Sequence, residues 1–292
     1  MESSWIKGVG TALVTPFDHD LLDIAALKKI IDYNLLNGVD FLVPLGTTGE
    51  TSTLTTAESN AVIHHTIEAN AGRVPVVNGM FGKNNTRQVL DLIREASFDD
   101  IKAILVASPY YNKPSQAGLI AHFTAIADVS PVPVILYNVP SRTAVNLNSD
   151  SILALAEHQN IIGIKEASGD FNQIMLVLKY KPSTFEVLSG DDPLTLPMIA
   201  CGATGVISVI SNAFPLQFTQ MVDAALKGDF ETSKKYNDIL LDIHKWLYIE
   251  GNPVGIKACL NLLGFCRDEL RLPLVSLSAS NKELLAAAIK SL

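Results

Sequence analysis

One lysine of this sequence stands inside a run of apolar residues. Lys165 belongs to the segment IIGIKEA, Ile161–Ala167, which has the composition of a buried strand. Burial disfavours the ammonium form of a lysine and leaves a neutral amine, which can attack a carbonyl carbon. The alternatives are a side chain that extends outward past packed helices, or a structural pair with Glu166. Because neighbouring strand residues point to opposite faces, Lys165 and Glu166 cannot both face one interior, and we interpret Lys165 as a nucleophile.

A glycine-flanked turn follows the second apolar run. It reads Gly46-Thr47-Thr48-Gly49-Glu50. Two glycines relax the backbone, so that main-chain N–H groups can converge on an anion the size of a carboxylate, and two hydroxyls lie between them. Taken alone, the segment is more typical of an ordinary tight turn, since Gly and Thr are common in turns.

Tyrosines and an arginine follow the fourth and fifth runs. Tyr110 and Tyr111 could supply a phenol for proton transfer or pack against a neighbouring subunit. Tyr137 ends the fifth run, and Arg142 comes five residues later. A guanidinium suits a carboxylate through two parallel hydrogen bonds, although a lone loop arginine is more often simply exposed.

The seventh run ends in paired aspartates. Asp191 and Asp192 suggest a metal at first sight, but Asp192 before Pro193 predicts the start of a helix, with Asp192 as its N-cap. We expect Gly190 and Gly205 to leave room for a substrate.

Eight short apolar runs alternate with segments of helical periodicity and predict the strands that position these residues. The predicted strands are Gly10–Phe17, Phe41–Gly46, Pro75–Met80, Ala103–Ser108, Val134–Val139, Ile161–Ala167, Glu186–Gly190 and Gly205–Val209. Most are continuously apolar, as buried parallel strands are. Between them, one helical stripe contains Leu27 and Ile31 and stops at Gly38, and a second follows a cap at Ser115. A third helix is expected to have Ser149 or Asp150 as its cap.

Repeated strand–helix units predict a closed (β/α)8 barrel, or TIM barrel, of class α/β. A doubly wound open sheet is the alternative, but no GxGxxG follows the first run. Helices are predicted at Gln217–Leu226, Phe230–Tyr248, Val254–Leu263 and Lys282–Ile289. We therefore expect a barrel over 1–228 and a C-terminal helical region over 229–292. In such barrels chemistry occurs at the carboxyl ends of the strands, where the residues above stand.

Composition excludes several classes of function. The 292 residues are 48% hydrophobic and carry a net charge of −8, with no basic stripe, so a nucleic-acid partner is not expected. No apolar run approaches the roughly 20 residues that span a bilayer, and no signal peptide is evident, so we expect a cytoplasmic protein.

Cysteine and histidine spacing indicates no metal site. Cys201, Cys259 and Cys266 form no CxxC, and buried free thiols are the simpler interpretation. His64 and His65 are adjacent, so on a helix we expect them to point in different directions and not to share a metal readily.

The order of motifs resembles a known family. GTTGE, PYYNKPSQ, YNVPSRT, GIKEASGD and SGDD occur in the order found in the dihydrodipicolinate synthase branch of the pyruvate-dependent Schiff-base aldolases, which include N-acetylneuraminate lyase. The likeness extends over essentially the whole chain, to Asn252-Pro253 and Lys257. It implies a barrel with a C-terminal helical region, needing no metal or other cofactor, and a homotetramer built from two tight dimers.

The resemblance also implies roles for particular residues. Lys165 would form the imine with pyruvate, and Tyr137, Thr47 and Tyr111 would relay protons, with Tyr111 reaching into the partner subunit's site. Thr48 would bind the pyruvate carboxylate and Arg142 that of the second substrate, aspartate 4-semialdehyde. Gly190 and Ile207 would place backbone carbonyls near the site.

One departure concerns feedback inhibition by lysine. Family members that have the lysine pocket often place His and Glu where this chain has Ser59 or Thr56, and Gln88, while Asn84 and Tyr110 are kept. A neutral amide in place of a carboxylate removes the partner of the lysine ammonium, so weak or absent inhibition is expected.

Three other functions compete with this interpretation. A sibling lyase of 2-keto sugar acids, such as sialic acid or 2-keto-3-deoxygluconate, would share Lys165 and Tyr137, but would generally carry a small or apolar residue in place of Arg142. A catalytically dead barrel would lack one of the core residues, all of which are present. A metal-dependent aldolase needs clustered His and acidic ligands.

Overall fold

Eight parallel strands pair side by side and close into a barrel in the computed structural model, which describes residues 5–292. Their bounds are β1 Gly8–Ala12, β2 Phe41–Val43, β3 Val76–Asn78, β4 Ile101–Ala107, β5 Val134–Asn138, β6 Ile161–Glu166, β7 Glu186–Ser189 and β8 Gly205–Ser208. Pairing between β1 and β8 completes the ring. The predicted (β/α)8 barrel is confirmed.

Side chains of each strand alternate between two apolar clusters. One cluster fills the barrel interior and includes Phe41, Leu105 and Ile135. The larger cluster lies between the barrel and the surrounding helices and includes Ile104 and Leu136. Burial on both faces explains why the strands read as continuous apolar runs.

The ends of the strands differ from the prediction. The first strand covers Gly8–Ala12 rather than Gly10–Phe17, because the chain leaves the barrel and Phe17–Asp18 pairs with Leu21–Leu22 in a separate hairpin. The fourth begins two residues early, at Ile101. Predicted carboxyl ends such as Pro44–Gly46 and Gly190 lie beyond the sheet and form the turns of the barrel mouth. Periodicity detects apolar character, and these buried turns share it with the strands.

Twelve α-helices are present in the described residues. They are α1 Ile24–Leu36, α2 Thr56–Asn70, α3 Thr86–Glu95, α4 Gln116–Val129, α5 Pro140–Thr143, α6 Ser149–Ala156, α7 Phe171–Tyr180, α8 Thr195–Ala200, α9 Pro215–Leu226, α10 Phe230–Tyr248, α11 Val254–Leu262 and α12 Ala279–Lys290. All four helices predicted after Pro215 are found, and Phe230–Tyr248 has the predicted bounds.

Helix caps are partly as predicted. Ser115 caps α4 by accepting from the backbone N–H of Gly118 at 3.3 Å, as expected. The prediction of Ser149 or Asp150 as the cap of α6 is wrong, because Asn148 accepts from the N–H of Ser151 at 2.9 Å. An asparagine one residue earlier is an equally good N-cap, and the sequence alone did not separate them.

The C-terminal helices fold back onto the barrel. Helix α10 packs along α9 and also contacts the turn after β7, and α11 contacts α10 and the turn after β8. This places residues 244–252, the end of α10 and the segment that leads to α11, over the carboxyl ends of the strands.

Candidate active site

Lys165 and Tyr137 are register partners on β6 and β5. Both side chains enter the barrel interior, where Lys165 is 5% exposed and Tyr137 is 7% exposed. The Nζ of Lys165 lies 4.5 Å from the centroid of the Tyr137 ring. The amine and the phenol therefore share one buried space at the mouth of the barrel.

The next pair in register, Asn138 and Glu166, points the other way. The Glu166 carboxylate is buried outside the barrel, where Nδ2 of Asn138 donates to it at 3.1 Å and the N–H of Ser168 at 2.6 Å. Burial raises the pKa of this carboxyl group, and these donors oppose the rise. Glu166 is therefore not the partner of Lys165, and it ties β5 to β6 behind the two inward side chains.

The Gly46–Glu50 turn forms a 3-10 helix over Thr47–Gly49, with Thr48 buried and Thr47 exposed to the mouth. The positive φ angles here belong to Leu45 (62°), just before the turn, and to Glu50 (52°), not to the two glycines. The expectation that Gly46 and Gly49 supply backbone freedom is thus wrong. A Cβ on Gly49 would lie 3.2 Å from the carbonyl oxygen of Leu13, so that glycine provides close approach instead.

Residues from the C-terminal region hold this turn. Nδ2 of Asn252 donates to Oγ1 of Thr48 at 3.0 Å. Glu50 forms a fully buried ion pair with Lys257, whose Nζ also lies 4.1 Å from the centroid of the Phe17 ring. Burial lowers the pKa of Lys257, while the Glu50 carboxylate opposes that shift. Breaking such a pair from one side leaves an unpaired buried charge, so the turn is strongly fixed.

Two adjoining cavities open at the carboxyl ends of the strands. The first, of about 450 Å³, is lined by Lys165, Tyr137, Thr47, Thr48, Arg142 and Gly190 among others. The second, of about 400 Å³, shares Thr47, Tyr137 and Arg142 and extends to Tyr110 and Lys83. Six of the eight predicted site residues thus line the first cavity, which we call the Lys165 cavity.

The other two predicted residues lie elsewhere. Tyr111 lines neither cavity, has φ of 69°, and is 88% exposed. Ile207 is 1% exposed and packs in the interior apolar cluster below the mouth. Neither residue therefore lines the cavities of its own chain.

The two glycines expected to leave room for substrate behave differently. A Cβ on Gly190 would lie 3.0 Å from Cγ and 3.1 Å from Cε of Lys165, so the missing side chain makes space for that lysine. The expectation for Gly205 is wrong, because its Cβ would lie 2.2 Å from the carbonyl oxygen of Gly8. Gly205 allows close backbone contact between β8 and β1.

The prediction for Asp192 also needs correction. Asp192 lies within a 3-10 turn, Asp192–Leu194, and does not cap it. Its buried carboxylate accepts from the N–H groups of Val209 at 3.0 Å and Ile210 at 2.8 Å, just after β8. The hydroxyl of Tyr248 donates to the same carboxylate at 3.0 Å.

Sequence reasoning missed the wall that α10 contributes. His244, Lys245, Tyr248 and Asn252 line the Lys165 cavity. The spacing of His244 and Tyr248, four residues apart, indicates one helix face. Only the packing of α10 across the mouth assigns that face to the cavity.

Two expectations about histidines and thiols are corrected. His64, His65 and Glu68 present ligand atoms within 4.8 Å of one another, so the adjacent histidines do converge, although Lys28 already pairs with Glu68 at 2.9 Å. Cys201 is exposed, Cys266 is partly buried and Cys259 is buried. Burial raises the pKa of the Cys266 thiol to about 12.

The fold and this cavity define a class of barrel enzymes that hold a buried lysine at the end of the sixth strand. The model of the dihydrodipicolinate synthetase family matches residues 5–292. The chain belongs to that family.

Relatives and solved structures agree with this assignment. A 4-hydroxy-tetrahydrodipicolinate synthase of Parabacteroides distasonis is 46% identical, over 92% of this chain and 91% of that one. The crystal structure of dihydrodipicolinate synthase from Aquifex aeolicus matches with a TM-score of 0.94 and 40% identity, over 98% of both chains. A monomeric dihydrodipicolinate synthase variant matches with a TM-score of 0.95 and 39% identity, over 98% of this chain and 97% of that chain. These comparisons favour the synthase over the alternative 2-keto sugar-acid lyase.

Among residues 5–292, no helix combines the length and the apolar character needed to cross a membrane.

Proposed function

We propose that this protein condenses pyruvate with L-aspartate 4-semialdehyde through a Schiff base on Lys165, as a carbon–carbon bond-forming lyase of the diaminopimelate and lysine pathway. The observation that carries the proposal is the buried amine of Lys165 beside Tyr137, in a cavity that Thr47, Thr48 and Arg142 also line. Membership of the synthase family supports the same substrates.

The first half of the reaction activates pyruvate. Its carboxylate binds at Thr48, and the amine of Lys165 attacks the ketone and expels water to give an imine. The protonated imine withdraws electrons, so the methyl group loses a proton and becomes an enamine nucleophile. Asn252, which donates to Thr48, keeps that hydroxyl in one orientation.

The second half joins the two substrates. The enamine attacks the aldehyde of the semialdehyde, whose carboxylate binds the guanidinium of Arg142. The amine of the semialdehyde then attacks the imine carbon and displaces Lys165, which releases 4-hydroxy-tetrahydrodipicolinate. Tyr137, which lies beside Lys165 and lines the cavity together with Thr47, passes protons between these steps.

The proposal extends to metal, assembly and location. All the groups named are organic, and the mechanism uses no metal or other cofactor. Tyr111 is exposed and is therefore available to enter the site of a partner subunit, and we propose a homotetramer built from two tight dimers. Gly190 lines the cavity, and we propose that its carbonyl and that of Ile207, deeper in the barrel, lie near the bound substrate. We further propose a barrel over residues 1–228, C-terminal helices over 229–292, and a cytoplasmic enzyme.

Reductive trapping tests the covalent step. The protein is incubated with pyruvate, reduced with borohydride and digested, and the masses of the peptides are measured by mass spectrometry. We expect the reduced pyruvate adduct on the peptide containing Lys165 and none on the peptide containing Lys257, which is the matched control because it is also a buried lysine. Modification elsewhere, or no modification, contradicts the proposal.

Two substitutions and a substrate comparison complete the test. Lys165→Ala removes the covalent route, whereas Tyr137→Phe leaves residual activity about 10²–10⁴-fold below the wild type. A coupled assay with pyruvate and aspartate semialdehyde is run beside one with sialic acid and 2-keto-3-deoxygluconate. Turnover of a sugar acid in preference to the semialdehyde would establish the sibling lyase instead.

A further inference from the structure

One face of α10 brings two polar side chains to the Lys165 cavity, and neither belongs to the proposed reaction so far. His244 and Tyr248 are four residues apart on the same helix face, and both line the cavity together with Lys165 and Arg142. We call this pair the α10 face.

His244 has unused hydrogen-bonding capacity. Its side chain is buried, and within the described residues neither Nδ1 nor Nε2 has a hydrogen-bond partner. Burial lowers the pKa of this imidazole, so near pH 7 it is neutral and offers one donor and one acceptor. Buried polar groups are nearly always paired, so this imidazole on the cavity wall has hydrogen-bonding capacity that a bound ligand can satisfy.

Tyr248 is fixed with its oxygen available. Its hydroxyl donates to Oδ2 of Asp192 at 3.0 Å, and Asp192 is held by the N–H groups of Val209 and Ile210. Burial and the neighbouring Asp192 and Asp191 carboxylates raise the pKa of Tyr248 well above its usual range, so the phenol stays protonated. With its proton committed to Asp192, the phenol oxygen can accept a hydrogen bond from a ligand.

The charges around the cavity match an amino acid. Arg142 supplies a positive group for a carboxylate, while Asp191, which lines the cavity, and Asp192 behind Tyr248 supply negative charge near α10. Lys245 is the opposing cation of this wall, and its Nζ lies 4.7 Å from the centroid of the Trp246 ring. An α-amino acid presents a carboxylate and an ammonium from one carbon, and the ammonium can donate to the acceptor nitrogen of His244 and to the phenol oxygen of Tyr248.

We propose that the α10 face binds the amino group of the aldehyde substrate and that Tyr248 and Asp192 remove its proton before ring closure. This inference rests on the proposed function. One N–H bond of the ammonium breaks, its proton goes to Oη of Tyr248, and the proton of Tyr248 passes to Oδ2 of Asp192. The products are a neutral amine, an unchanged phenol and a protonated carboxyl group, which later returns its proton to solvent. The freed lone pair of the amine then attacks the imine carbon.

The test separates the amino group from the rest of the substrate. Wild type, Tyr248→Phe and His244→Phe are loaded with pyruvate and mixed in single turnovers with aspartate 4-semialdehyde or with succinic semialdehyde, which lacks only the amino group. With aspartate 4-semialdehyde we measure the release of product from Lys165. With succinic semialdehyde we measure the formation of the adduct on Lys165. Tyr236→Phe, which removes a phenol hydroxyl from the same helix outside the cavity, is the matched control.

We expect product release with aspartate semialdehyde to fall at least about tenfold in both α10 variants, the size of one lost hydrogen bond to a charged group. Adduct formation with succinic semialdehyde should stay within about twofold of the wild type. The deficit of Tyr248→Phe should shrink as the pH rises past about 8, because free amine then exists without enzymatic deprotonation. His244→Phe should not lower the thermal midpoint, since it removes polar atoms that have no partner.

Two outcomes would overturn the inference. Equal losses with both aldehydes would mean that the α10 face only shapes the cavity, and no loss with either would mean that it does not bind substrate. If wild-type Lys165 fails to trap pyruvate, the proposed function itself fails. If Lys165 traps pyruvate normally but the α10 variants affect both aldehydes alike, only the present inference fails and the proposed function stands.

Discussion

Asn252 donates a hydrogen bond to Oγ1 of Thr48 at 3.0 Å, across 204 residues of sequence. The donor lies in the C-terminal region between α10 and α11, and the acceptor lies in the turn after β2. Together with the buried ion pair of Lys257 and Glu50, this bond makes the C-terminal region part of the pyruvate-binding turn and not an appendage of the barrel.

The first prediction concerns this bond. Asn252→Ala frees the Thr48 hydroxyl to rotate and should raise the KM for pyruvate about fivefold to tenfold, the effect of roughly 1–1.4 kcal/mol. The KM for the aldehyde should change less. Steady-state kinetics with each substrate varied in turn measures both, and Asn172→Ala, exposed on α7, is the control. An unchanged pyruvate KM would show that Thr48 is held without Asn252.

A second prediction tests the space that Gly190 leaves for Lys165. In Gly190→Ala the new Cβ would lie 2.8 Å from Cβ of Ala167 and 3.0 Å from Cγ of Lys165, so the lysine must move. Displacing a reacting group by about 1 Å costs on the order of 100-fold in rate, and overpacking costs about 1–3 kcal/mol of stability. The rate of imine formation and the urea midpoint measure the two effects.

The matched control is Gly118→Ala on α4, whose Cβ would meet Pro114 at an ordinary 3.5 Å. It should keep full activity and add up to about 1 kcal/mol of stability, because alanine is the better helix former. Full activity in Gly190→Ala would mean that Lys165 does not occupy the observed position during catalysis.

Acid should destabilise the protein through His122. This buried side chain has Nδ1 2.8 Å from Oγ1 of Thr86 and no partner for Nε2, and burial lowers its pKa to about 4. Between about pH 6.5 and 4 the unfolded chain binds a proton that the folded chain does not. Stability is therefore present above pH 6.5 and is lost as the pH falls toward 4, by about 1–3 kcal/mol.

Urea unfolding of the wild type and of His122→Gln from pH 7.5 to 4.5 measures this contribution. Glutamine can still bond Thr86 but does not titrate, so its stability should fall less steeply over this range. Parallel curves for the two proteins would assign the acid limb to other groups.

The last prediction is weak or absent inhibition by L-lysine. Thr56 and Gln88 are exposed and Ser59 is buried. The side chain of Asn84 donates to the carbonyl oxygen of Tyr110 at 2.8 Å and accepts from its backbone N–H at 2.7 Å. No carboxylate stands at position 88 to pair with a lysine ammonium. We expect Gln88→Glu to increase sensitivity about tenfold, the effect of roughly 1.4 kcal/mol. Inhibition of the wild type at micromolar lysine would contradict the prediction.

Much of the barrel followed from local pattern. Strands buried on both faces must be apolar throughout, so the order of runs and helices predicted the closed barrel, and strand alternation predicted that Lys165 and Glu166 face opposite sides. The caps and the strand ends were less certain, because Asn148 and Ser149 cap equally well and the buried turns at the mouth are as apolar as the strands.

The sequence by itself determined which residues are available for chemistry: an amine in an apolar strand, a threonine turn, a phenol and a guanidinium at the ends of strands. Only the tertiary structure decided that α10 covers the mouth, that Asn252 reaches Thr48, that Asp192 holds the backbone after β8, and that Gly205 serves β1 and not the cavity. The physical reason is that each of these depends on contacts between segments distant in sequence, and periodicity reports only which face of a segment is buried, not against what.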